Sequence, residues 1–140
     1  MSEQHTGTRL VARATAKIAL SDPPYVTNIQ AGHHDLVADE GRMGGGADAG
    51  PSPFGLVLSG LGACTAITLR MYAERKQWPL TQVTVEMDYF RDDKVFRIER
   101  RLHVEGALDH EQRARLADIA ERTPVTLALK AGATINTKLA

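Results

Sequence analysis

Residues 52–79 read SPFGLVLSGLGACTAITLRMYAERKQWP, and the organisation of the whole chain hangs on this stretch. Ser52 is an N-cap residue type, and Pro53 suits the first helical position, where its missing N–H would have no partner anyway. A helix can therefore run from Pro53 to about Gln77, where Trp78-Pro79 closes it, over roughly 37 Å at 1.5 Å per residue. Its halves differ: no charge occurs between Phe54 and Leu69, whereas Arg70, Glu74, Arg75 and Lys76 make the last turns ordinary surface. A helix that is apolar on every side has to be covered on every side. Gly55, Ser59, Gly62 and Ala66 form a stripe of small side chains along which another backbone can approach. Interior glycines cost about 1 kcal/mol each relative to alanine, and tight helix packing is the simplest compensation. The rest of one chain has too little apolar surface to cover both sides, so a dimer is expected.

Upstream, Leu10 to Leu20 alternates apolar and polar residues as a half-wet strand does, and Ser21-Asp22-Pro23-Pro24 ends it. Short strands at Tyr25–Gln30 and His33–Ala38, joined by a tight turn at Ala31-Gly32, would complete a small antiparallel meander. Residues 39–53, DEGRMGGGADAGPSP, are turn formers and predict a flexible loop. Downstream, Val83, Val85, Met87 and Tyr89 alternate with polar residues, Asp92-Asp93-Lys94 forms a hairpin turn, and Phe96, Ile98, Leu102 and Val104 return. Arg100 interrupts that apolar parity, which implies a bulge, a wet edge or a salt bridge. Asp109 with Gln112 has the spacing of a capping box, opening a helix whose Leu116, Ile119 and Ala120 share a face. Thr123-Pro124 can cap and start a short helix to about Lys130, ended by Gly132, and a last strand is expected at Ala133–Leu139.

The chain of 140 residues is read as one domain spanning 1–140. Lysine plus arginine and aspartate plus glutamate balance at 17 each, so no bulk charge recruits nucleic acid or an anionic membrane. The run from Ala49 to Leu69 approaches a membrane-spanning length, but its prolines, glycines and four hydroxyl residues fit a soluble core better. The start, MSEQHTGTRL, has no secretory pattern, and one cysteine cannot form an internal disulfide, so the expected compartment is the cytoplasm.

Cys64 is the one strong nucleophile, placed within the uncharged half of the helix among Val57, Gly60, Leu61, Ile67, Thr68 and Met71. By periodicity alone it is a core cysteine, a type that is usually inert. Activation would need a cation from elsewhere, such as Arg42 in the glycine-rich loop. The five histidines are scattered, with adjacent His33 and His34 expected on opposite strand faces, so no metal site is expected. Gly44-Gly45-Gly46 lacks the lysine that follows a phosphate-binding loop, and no cofactor is implied.

Residues 44–80, GGGADAGPSPFGLVLSGLGACTAITLRMYAERKQWPL, together with residues 98–125, IERRLHVEGALDHEQRARLADIAERTPV, resemble the OsmC-like family within the OsmC/Ohr superfamily of organic hydroperoxide resistance and osmotically inducible proteins. The resemblance implies an α+β fold, antiparallel sheets packed around a long buried central helix, in an intertwined homodimer whose subunits each add strands around paired helices. In peroxidatic members a reactive cysteine stands at the position of Cys64, in a pocket near the dimer interface, and reduces organic hydroperoxides. A second cysteine before Pro-Val then captures the sulfenic acid as a disulfide.

This chain departs from that pattern. The resolving position holds Thr123, before Pro124-Val125, and the glutamate that partners the pocket arginine would fall near Phe54. Arg42 matches the arginine itself. Two functions remain open: a one-cysteine thiol-redox protein, reducing organic hydroperoxides through Cys64 with an external thiol, or a degenerate member holding a small hydrophobic ligand in the dimer pocket. Neither involves nucleic acid or membrane.

Overall fold

A computed structural model describes residues 7–140, which divide into two compact units, the first ending at Gly55 and the second starting at Leu56. In the first, β1 (Ala14–Lys17), β2 (Thr27–Ala31) and β3 (His34–Ala38) form an antiparallel sheet in the order β1-β2-β3. The meander is as expected, with Gly32 in the left-handed region at its tight turn. β1 is shorter than the Leu10–Leu20 alternation predicts. Ala14 stands opposite Ala31, the last residue of β2, so residues 10–13 have no strand to pair with, and Lys17 stands opposite Asn28, one residue short of the other end of β2.

Hydrogen bonds to one buried carboxylate run through the glycine-rich loop. Asp39 is buried, and its carboxylate accepts from the backbone amides of Ala49 (3.0 Å), Glu40 (2.7 Å) and Ala47 (3.1 Å). Residues Arg42–Gly44 form one 3-10 turn, closed by Gly45 in a left-handed conformation. At Gly46 and Gly50 a side chain would collide with the carbonyls of Glu40 and Val37, so the backbone itself fills the space there.

The second unit is built on α1 (Pro53–Lys76), which begins in the last residues of the first. Ser52 Oγ accepts from the Gly55 amide at 3.1 Å, the expected cap, and Gln77 takes a left-handed φ of 57° just past the helix. β4 (Leu80–Asp92) and β5 (Val95–Gly106) make a long hairpin across Asp93-Lys94. Their inward residues, Val83, Val85, Met87 and Tyr89 opposite Val104, Leu102, Arg100 and Ile98, are half-buried. α2 (His110–Ala120) opens with the complete capping box: the Gln112 amide donates to Asp109 Oδ1, and the Asp109 amide donates to Gln112 Oε1. α3 (Pro124–Ala131) follows.

The core of this unit is Leu69 of α1 against Leu116 and Ala120 of α2, with Tyr72, Trp78, Leu80, Val83, Leu102, Val104 and Ile119 packed around them. α1 is long and apolar enough to cross a membrane by length and composition, yet Leu61, Gly62, Thr65, Leu69 and Ala73 are buried along one side. Its other side is open in the single chain: Val57, Ile67 and Met71 are exposed, Ile67 at 54% and Met71 at 58%. Gly62 does not await another helix, because a Cβ there would stand 2.7 Å from Met87 Cε of the chain's own β4. Residues 132–140 form no strand and are exposed, with Ile135 at 84% and Leu139 at 102%, because no strand among the described residues pairs with them.

Candidate functional site

Cys64 lies about a third of a turn around α1 from the middle of its buried side, at about 3.6 residues per turn, and is partly exposed. Its neighbours one and two turns away include exposed Val57, Gly60, Ile67 and Met71 on one side and buried Leu61 on the other. The thiol thus stands at the border between the core and the open apolar side, rather than within the core as periodicity alone implies. Among the described residues, no side chain hydrogen-bonds or pairs with it.

Beside it the structure assembles a polar cluster that the sequence did not disclose. Arg100 sits on the inward side of β5, directly across from Met87 in unbroken register, so neither a bulge nor a wet edge accounts for it. Its side chain is only 12% exposed. Nη1 donates to Thr65 Oγ1 at 3.1 Å and Thr126 Oγ1 at 2.9 Å, and Nη2 donates to the Ala120 carbonyl at 2.9 Å. Glu121 comes no closer than 3.7 Å and is itself bonded to Lys130 at 2.8 Å. The Lys130 ammonium holds the Glu121 carboxyl below its ordinary range. Arg100 is therefore satisfied chiefly by hydroxyls and a carbonyl, which suits a planar fork better than a point charge.

Thr123, at the position of the absent resolving cysteine, belongs to the same cluster. Its backbone is an N-cap to α3, but its hydroxyl shares a 2.7 Å hydrogen bond with Thr126 Oγ1 instead of capping a backbone amide. A chain of hydrogen bonds thus runs from Thr123 through Thr126 and Arg100 to Thr65, the residue after Cys64. Parity exposed Arg100 in the sequence; nothing local exposed Thr65 or Thr126 as its partners.

Arg42 is exposed in the 3-10 turn of the first unit, whereas Cys64, Arg100 and Thr123 belong to the second. His33 lies in the turn rather than in β3, so its ring meets that of His34 with centroids 4.0 Å apart instead of pointing to the opposite face. The described residues contain no cluster of three metal-ligating side chains. A cavity of about 410 Å³ between β5 and α2, lined by His103, Val104, Arg113 and Leu116, and one of about 290 Å³ beside Trp78 are both lined without Cys64.

The fold is shared with solved structures of low sequence identity. An OsmC-like protein from Mycoplasma pneumoniae superposes with a TM-score of 0.74 at 16% identity, covering 88% of this chain and 89% of that one. An organic hydroperoxide resistance protein OsmC from Legionella pneumophila gives 0.64 at 21% identity, over 89% and 92%. The organic hydroperoxide resistance protein OhrB of Bacillus subtilis gives 0.60 at 22%, over 86% and 91%. No curated protein sequence matches the chain significantly. The sequence pattern described as OsmC-like protein matches residues 44–138, a span that holds α1, the hairpin, α2 and α3. On that match, the chain belongs to the OsmC-like protein family.

Proposed function

We propose that this chain is a one-cysteine thiol-redox protein that reduces organic hydroperoxides through Cys64 and is recycled by an external thiol. The observation that carries the reading is the placement of the chain's one thiol, partly exposed at the edge of an open apolar surface, where a hydrophobic peroxide could lie against it. The Cys64 thiolate attacks one peroxide oxygen, the O–O bond breaks, and the alcohol leaves with a proton. Cys64 becomes sulfenic acid. With Thr123 in place of a second cysteine, an external thiol condenses with the sulfenic acid and releases water, and a further thiol frees Cys64 from the mixed disulfide.

The working form in this reading is an intertwined homodimer, each subunit one OsmC-like domain, in the cytoplasm. The open side of α1 and the unpaired alternating segment 133–139 support that assembly. Arg42, as the cation of the site, is part of the same proposal, as is the absence of nucleic acid and membrane among its partners.

Mass spectrometry after one equivalent of cumene hydroperoxide is the test. One oxygen should be added at Cys64 without any reductant, and turnover should require added thiol. An unchanged mass would refute the reading and favour a ligand-binding member that holds a small hydrophobic molecule at the dimer pocket. That second reading is supported by the lack of a side-chain partner to the thiol among the described residues.

A further inference from the structure

A buried arginine is expensive unless its donors are met, and replacing such a group by apolar residues is often neutral or stabilising. Arg100 invites that question because its position on β5 lies between Ile98 and Leu102, in an otherwise apolar row. Its acceptors come from three helices: Thr65 on α1, the last carbonyl of α2 at Ala120, and Thr126 in the first turn of α3. The α2 and α3 contacts would suffice to hold those two helices together. The contact to α1 does something else.

Thr65 Oγ1 donates its one proton to the Leu61 carbonyl at 2.7 Å, so its lone pairs are what Arg100 meets at 3.1 Å. The hydrogen bonds run in one direction, from guanidinium to hydroxyl to carbonyl, and each polarises the next. They span Leu61 to Thr65, the helical turn that contains Cys64. We propose that Arg100 is a positioning residue for Cys64, fixing through the Thr65 hydroxyl the turn that presents the thiol at the edge of the open side of α1.

The proposal rests on Cys64 being a functional thiol, but its test does not depend on peroxide chemistry. Iodoacetamide alkylation of Cys64 in the folded protein reads presentation of the thiol directly. Thr65→Ser keeps the hydroxyl, and Thr65→Val keeps the shape without it. Alkylation should slow about fivefold in Thr65→Val and stay within about twofold of the native rate in Thr65→Ser, a modest loss for a displaced reacting group. Arg100→Lys, whose single nitrogen cannot stand where both Nη1 and Nη2 do, should slow it as Thr65→Val does. A merely structural arginine would lower the melting temperature in these variants without separating valine from serine in alkylation rate.

Equal rates in the valine and serine variants would overturn the proposal. Should Thr65→Val fail to fold, Arg100→Lys decides by the same rate. If native Cys64 is not oxidised by cumene hydroperoxide but valine and serine still separate, the positioning role stands and the peroxidase reading fails. If native Cys64 is oxidised and the valine variant reacts as fast as native, the reverse holds.

Discussion

The two sides of α1 are built from the same kinds of residue and meet opposite fates. One side, Leu61, Gly62, Thr65, Leu69 and Ala73, is closed within the chain. The other, Val57, Gly60, Ala63, Ile67 and Met71, is exposed although it carries no charge before Arg70. An apolar helix therefore announces that it will be covered but not by what, and at Gly62 the small-residue stripe misled for that reason. Gly62 serves the chain's own sheet. Cys64 stands on the seam between the two sides, which is where a thiol can be held by a rigid core and still be reached.

Substitutions can break or sharpen this contrast. Leu69→Ala, at a fully buried position in contact with α2, should lower unfolding free energy by about 2–5 kcal/mol, read from urea denaturation. Gly62→Leu should cost about 1–3 kcal/mol by overpacking against Met87, and Met87→Ala in the same chain should recover part of it. A change confined to oligomer mass, with subunit stability untouched, would return Gly62 to the interface side. Gly60→Ala should be mildly stabilising, by roughly 0.5–1 kcal/mol, because nothing lies within 4 Å of the added Cβ in the chain and alanine favours helix. A loss there would reveal another backbone closing on the open side.

The smallest effect on the subunit should come from Ile67→Glu with Met71→Glu. Surface changes of this kind usually stay within about 0.5 kcal/mol of neutral. Their consequence should appear instead in light scattering, where the proposed dimer gives way to a 15.2 kDa species. A native protein already folded and stable at that mass would remove the dimer from the proposed function.

What was legible in the sequence was mostly local. The capping box of Asp109 and Gln112, the Ser52 cap and the turn read at Asp92-Asp93-Lys94 each depend on residues within a few positions of one another, and each formed, the turn at Asp93-Lys94 with Asp92 in the strand. Strand length was less legible, because a strand ends where its partner ends. β1 begins opposite the last residue of β2, and the alternation at 133–139 finds no partner among the described residues. The site divides in the same way. Cys64 stood out as the one thiol, and Arg100 as a charge at apolar parity, but the hydroxyls that meet Arg100 lie 35 and 26 residues away and have no period to betray them. Thr123 read as a simple cap because its spacing allows one, whereas its hydroxyl turns to Thr126.

Asp39 gives the glycine-rich loop an acid limit. The amide of Ala49 foremost, with those of Glu40 and Ala47, favours the ionised carboxylate over the opposing cost of burial and holds its pKa below the ordinary 3.8. A depressed value in the fold means that the carboxylate's contribution is fully present above the unfolded value and is lost as pH falls through the folded one. Protonation would put a hydroxyl where an amide now donates, and the loop would lose side-chain bonds that its backbone bonds, such as Asp48 N–H to the Glu40 carbonyl at 3.2 Å, do not replace. The amide resonances of Ala47 and Ala49 should therefore shift together at a midpoint below pH 3.8, and Asp39→Asn should reproduce the acid positions at neutral pH. Arg42 lies in the same loop, so acidity would be felt in the segment that carries the proposed cation.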